Sequence, residues 1–240
     1  MKKQCVFGPI LSRRLGKSLG VDVFPEKICN YDCIYCELGR STKRGPEAGD
    51  CLPVETVVEA VKERLREIAQ PDHVTLYGPG EPTLHGQVGE IIAGIKKVSK
   101  GPVVLLTNGS LLWRDEVRKA VLAADLIIPS LDAGGPDTFH VVNRPAGDVT
   151  FERMVEGLAA LRRDFRGPLW LEVFLVDGLT TGEDEIRRIG QQVERIRPDR
   201  VQLNTVDRPP AEPCVRAVPR RRMTEIAERL GPSCEVISRD

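Results

Sequence analysis

The sequence carries no surplus of charge. Its 35 Lys and Arg balance 35 Asp and Glu over 240 residues, so there is no general basic field to gather nucleic acid, although a local basic patch remains open. Long apolar runs are missing as well. Those at 103–106 and 126–128 fall far short of the roughly 20 residues needed to cross a bilayer. Met1-Lys2-Lys3-Gln4-Cys5 leads into polar residues, not into the apolar core of a secretory signal. These absences place the chain in the cytoplasm with no membrane partner. His73, His85 and His140 are the only histidines, and no two have the spacing of a metal-binding pair. His73 reads as structural and His85 as a surface turn.

What is present is the composition of a folded domain. Hydrophobic residues make up 41% and charged residues 29%, enough to bury a sizeable core, and no break in composition divides residues 1–240 into two domains. Apolar stretches of strand length alternate with amphipathic stretches of helix length. The spacing predicts strands at 19–24, 73–77, 103–107, 126–131, 169–176 and 201–205. It predicts helices at 54–69, 88–98, 114–123, 151–163, 183–196 and 224–230, with Val57, Val58, Val61, Leu65 and Ile68 forming one buried face of the first. Six βα units of this kind give a parallel α/β sheet, open or closed into a barrel, and both forms carry function at the C-terminal ends of the strands. Polar residues gather at those ends. Two connections, 39–53 and 207–222, exceed ordinary loop length and read as lids.

Seven cysteines in a reducing compartment read as metal ligands or small buried residues before disulfides. Three of them fall within eight residues, Cys29-Asn30-Tyr31-Asp32-Cys33-Ile34-Tyr35-Cys36, on the loop after the first predicted strand. Zinc ribbons and ordinary ferredoxin clusters take four protein ligands, whereas a cubane held by three thiolates keeps one iron open. Cys33-Ile34-Tyr35-Cys36 by itself would also suit a redox pair or half a zinc site. A redox pair leaves Cys29 unused, and a zinc site needs a second ligand cluster. Cys5, Cys51, Cys214 and Cys234 are too scattered to mark a second centre.

This segment resembles the CxxxCxxC loop of the radical S-adenosylmethionine (SAM) superfamily. The resemblance implies a partial (βα)6 TIM-like barrel and a 4Fe-4S cluster on Cys29, Cys33 and Cys36. It also implies that the open iron chelates SAM, and that an electron from a reducing partner such as ferredoxin or flavodoxin cleaves SAM to a 5'-deoxyadenosyl radical, which abstracts hydrogen from a substrate. Tyr77-Gly78-Pro79-Gly80-Glu81-Pro82-Thr83 is similar to the family's glycine-rich SAM segment, with Pro79 in place of one glycine. By the same resemblance Gly78, Gly80, Glu81, Asn108, Ser130, Asp132, Glu172 and Asn204 are expected to bind SAM, and Tyr35 to flank its adenine.

Phe7-Gly8-Pro9, Ser12-Arg13-Arg14-Leu15-Gly16 and Asn143-Arg144-Pro145 add a resemblance to small iron-sulfur oxidoreductases grouped with the tRNA wyosine-base synthases. Those enzymes carry Trp-Arg after the last cysteine, where this chain has Glu37-Leu38. Segment 1–18 and loop 207–222 are expected to face the substrate. Arg13, Arg14, Arg144 and Arg208 are candidates to hold an anionic molecule or peptide, with a solvated, salt-bridged surface as the plainer alternative. A tRNA base is the alternative substrate, and an iron-sulfur electron carrier the alternative to an enzyme.

Overall fold

A computed structural model describes residues 5–45, 47 and 49–237; the reading of Met1 to Gln4 lies outside them. All six predicted strands form. They are β2 (Gly16–Asp22), β3 (His73–Gly78), β4 (Val103–Thr107), β5 (Leu126–Pro129), β6 (Trp170–Leu175) and β7 (Arg200–Thr205), each within a few residues of the predicted bounds. Neighbours pair in parallel and in chain order. Bridges Ile127↔Leu169 and Ser130↔Glu172 carry the array from β5 to β6. The result is a parallel α/β array of the partial TIM-barrel kind.

Two strands escaped the periodicity. Strand β1 (Val6–Ser12) pairs antiparallel with β2, and β8 (Cys234–Val236) pairs parallel with β7. Pro9 lies within β1, a residue that confines a strand to a sheet edge, and β8 has only three residues. They occupy the two ends of the array.

The helices follow their apolar spacing. Helix α1 (Val54–Glu67) buries Val57 and Val61, α2 (Val88–Val98) buries Ile91, Ile92 and Ile95, and α3 (Asp115–Val121) is shorter than its pattern. Helix α5 (Phe151–Asp164) starts where the Thr150 hydroxyl accepts a hydrogen bond from Arg153 N at 3.2 Å, satisfying a backbone donor the helix cannot. Helix α6 (Glu183–Ile196) buries Ile186, Ile189, Val193 and Ile196, each contributing roughly 1.5–3 kcal/mol of transfer free energy. The unpredicted α4 (Pro136–Val142) is one short element opened by a proline, and α7 (Arg220–Leu230) begins four residues before its predicted start, which ends the second long loop at Pro219.

Strand alternation divides the core in two. Val103, Leu105, Ile127, Leu171 and Leu203 pack under the helices. Val104, Leu106, Leu126, Ile128 and Trp170 turn to the other side, where Leu15 from the β1–β2 hairpin packs among them.

Candidate active site

The cysteine loop leaves β2 and is pinned by backbone hydrogen bonds to three distant segments. Ile28 N donates to Pro79 O at 3.2 Å and Glu81 N donates to Ile28 O at 2.9 Å. Gly80 is required here: its φ is +123°, and an added Cβ would lie 1.8 Å from Ile28 O. Asp32 N and Ile34 N donate to Asn143 O and Val142 O at 3.0 and 2.9 Å, where α4 ends. Glu212 N, in the second long loop, donates to Ile34 O at 3.0 Å.

So held, Cys29, Cys33 and Cys36 line one cavity of about 420 Å³, a size that suits a small-molecule cofactor. No histidine and no fourth cysteine lines it among the described residues. Each sulfur has its own N–H donor. Asn108 Nδ2 donates to Cys29 Sγ at 3.7 Å, Asn143 Nδ2 to Cys33 Sγ at 3.5 Å, and Lys27 Nζ to Cys36 Sγ at 3.1 Å. Burial pushes the Cys29 thiol up to about 12 and the Cys33 thiol well above its ordinary value. A metal centre that takes up thiolate reverses that penalty. Among the described residues, no three His, Cys, Asp or Glu side chains are gathered as one ion requires. Three thiols on one cavity, each with an N–H donor, are a donor set that would suit a cluster. Cys5 is buried, Cys51 and Cys234 are half-buried, and Cys214 is exposed.

Of the residues expected at SAM, Tyr35, Gly80, Ser130, Glu172 and Asn204 share the cysteine cavity, and Glu81 and Asn108 line its neighbour together with Gly80, Ser130 and Glu172. Tyr35 stacks on Phe174 with ring centroids 3.9 Å apart, and Phe174 lines the same cavity. Gly78 and Asp132 stand outside both cavities, and the Glu81 carboxylate is engaged within the fold. Glu81, only 1% exposed, spends its carboxylate on Thr83 N, Thr83 Oγ1, Thr107 Oγ1 and Asn108 N at 2.6–3.0 Å, so it fastens the ends of β3 and β4 together. Asp132 lies behind Tyr35, accepting from the Tyr35 hydroxyl at 2.5 Å, Asn143 Nδ2 at 2.7 Å and Phe174 N at 3.0 Å. Burial raises its pKa to about 6.

The basic rim is largely internally paired. Arg14 reaches Glu172 within the cavity, Arg208 reaches Glu37 at 2.9 Å, and Arg13 lies 3.9 Å from Asp207. Glu37 also accepts from the Tyr77 hydroxyl at 2.7 Å. Arg144 does not line the cavity. It joins Arg40 on Glu212, at 2.6 and 2.9 Å, and so ties the second long loop to the cysteine loop. His85 is a further correction: it is 2% exposed, with Nε2 2.9 Å from Leu52 O. His73 Nδ1 meets Leu15 O at 2.7 Å, a structural contact as expected.

Sequence reasoning missed Lys27 and Phe174 and gave Asn143 only as part of a motif, without a role. Phase alone would have found Phe174, two residues beyond Glu172 on one strand face. No spacing rule marks Lys27 or the side-chain amide of Asn143.

Comparison with known proteins agrees with this architecture. The chain is 40% identical over 236 residues to a protein of Brachyspira hyodysenteriae named GTPase Obg, covering 98% of this chain and 35% of that one. It is 38% identical over 207 residues to the UPF0026 protein of Helicobacter pylori strain J99, covering 85% of this chain and 67% of that one. The chain thus spans about a third of one relative and two thirds of the other. Gly16-Lys17-Ser18 opens strand β2. Among solved structures, a radical SAM methyltransferase from Sphaerobacter thermophilus superposes with a TM-score of 0.69 at 15% identity, covering 92% of this chain and 66% of that one. The Radical SAM superfamily profile matches residues 24–189, from just before the cysteine loop into α6. The chain belongs to the radical SAM superfamily, enzymes that use a 4Fe-4S cluster and SAM.

Proposed function

We propose that Cys29, Cys33 and Cys36 hold the 4Fe-4S cluster and that the cavity beside them takes SAM. One observation carries this reading: three thiols on one cavity wall, each facing its own N–H donor, with no fourth cysteine or histidine on that wall among the described residues. When bound, the reduced cluster supplies the electron that cleaves SAM to a hydrogen-abstracting radical, and the protein's share is to bind, orient and shield. Tyr35, braced by Phe174 and Asp132, forms the adenine wall. Ser130 just beyond β5, Glu172 within β6 and Asn204 near the end of β7, all on the same cavity, offer polar contacts to the ribose and methionyl groups.

The substrate enters where the hairpin residues Ile10, Leu11 and Arg13 meet Leu38, Tyr77 and Arg208 around the same cavity. This wall suits a small molecule or peptide whose anionic group exchanges with a carboxylate now held by Arg13 or Arg208. A small reductant protein such as ferredoxin or flavodoxin supplies the electron.

Anaerobic EPR of the iron-reconstituted, reduced protein tests the reading. A 4Fe-4S signal that SAM perturbs and that Cys33→Ala lacks is the expected result. A signal indifferent to SAM would point to an electron carrier, and absence of a cluster would overturn the ligand assignment.

A further inference from the structure

The basic side chains around the cavity divide into two kinds. Arg13, Arg14 and Arg208 each face a carboxylate, Asp207, Glu172 and Glu37 respectively. Lys27 does not: among the described residues no acid pairs with it, and its ammonium lies 3.1 Å from Cys36 Sγ and donates to Gly39 O. It lines the cavity and is half-buried. The other two sulfurs receive neutral amide donors, Asn108 on Cys29 and Asn143 on Cys33. The three donors come from the cysteine loop itself, the end of β4 and the end of α4.

We propose that Lys27, assisted by Asn143, is a positioning residue that sets the reduction potential of the cluster. The inference rests on the assignment of the cluster to these three cysteines. One-electron reduction, by dithionite in the assay, adds a negative charge that spreads over the iron and sulfur atoms. A cation and N–H dipoles fixed against the thiolates stabilise that added charge, and hydrogen bonds to sulfur are a recognised control of such potentials. The ammonium acts through a partly desolvated gap in which its field is weakly screened. The arrangement is asymmetric, with the single cation on Cys36 and neutral amides on the other two sulfurs.

The test is an EPR-monitored redox titration of the reconstituted protein without SAM. Lys27→Met is expected to retain its iron and to shift the midpoint to more negative potential, with Lys27→Arg returning it toward the wild-type value. Asn143→Ala is expected to shift the midpoint in the same direction by a smaller amount, and it gives an independent reading if Lys27→Met does not retain its cluster. Midpoints equal to wild type in the clustered variants would overturn the proposal. A wild-type protein that takes up no cluster would instead refute the cysteine assignment.

Discussion

Tyr35 lies flat on Phe174, with ring centroids 3.9 Å apart and planes inclined by 12°. The Tyr35 hydroxyl is anchored on Asp132 at 2.5 Å, so one edge of the ring is hydrogen-bonded while its face is stacked. Phe174→Ala removes the stacked face and lets Tyr35 tilt. SAM binding to the reconstituted protein is expected to weaken roughly tenfold, about 1.4 kcal/mol, while iron content stays at the wild-type level. Calorimetric titration with SAM checks the affinity; unchanged binding would remove Tyr35 from the adenine wall.

Glu81 links β3 and β4 through four donors to a single carboxylate. Glu81→Gln keeps the shape but turns an amide NH₂ toward backbone or hydroxyl donors, leaving at least one buried donor unpaired. A loss of about 2–3 kcal/mol is expected, read as a lower urea midpoint at unchanged m-value. Stability equal to wild type would contradict the carboxylate's structural role.

Asp22, at the end of β2, has its pKa raised to about 7 by burial. The folded chain therefore holds a proton there that the unfolded chain releases near pH 4, so stability falls as pH rises from about 4 to about 7 and the full penalty persists above that. Asp22→Asn is expected to be neutral at pH 4 and stabilising at pH 8. Denaturant titrations at both pH values decide it; a gain of equal size at both would exclude this linkage.

Glu212 receives Arg40 and Arg144, and these contacts fasten the 206–219 connection over the cysteine loop. Glu212→Ala is expected to hasten limited proteolysis within that connection while far-ultraviolet circular dichroism stays constant. A cleavage pattern like that of the wild type would show that the backbone bond from Glu212 N to Ile34 O suffices.

The strands and helices of the array were legible because each buries one face, and burial writes its period into the residues: α6 with Ile186, Ile189, Val193 and Ile196 is the clearest case. Strand β1 was not legible because Gly8-Pro9 breaks its alternation, and β8 was too short to show any. The grouping of Cys29, Cys33 and Cys36 on one cavity was legible from their spacing. Asp132 was misread because its position at a strand end is shared by residues that face the cavity and residues that face behind it, and only the packing of Tyr35 over it separates the two. For Arg144 the sequence left both readings open for a related reason: charge marks a residue as a partner for an acid without saying whether that acid, here Glu212, belongs to the same chain.

The cysteine loop takes its supports from positions 79–81, 108, 142–143 and 212. A chain emerging from the ribosome exposes Cys29, Cys33 and Cys36 early, yet the Asn143 amide and the Glu212 clasp follow more than a hundred residues later. The thiols are thus synthesised long before their surroundings exist. Iron and sulfide delivered to the nascent segment would meet an unshaped loop, so on the proposed assignment the site matures only once residue 212 has been made.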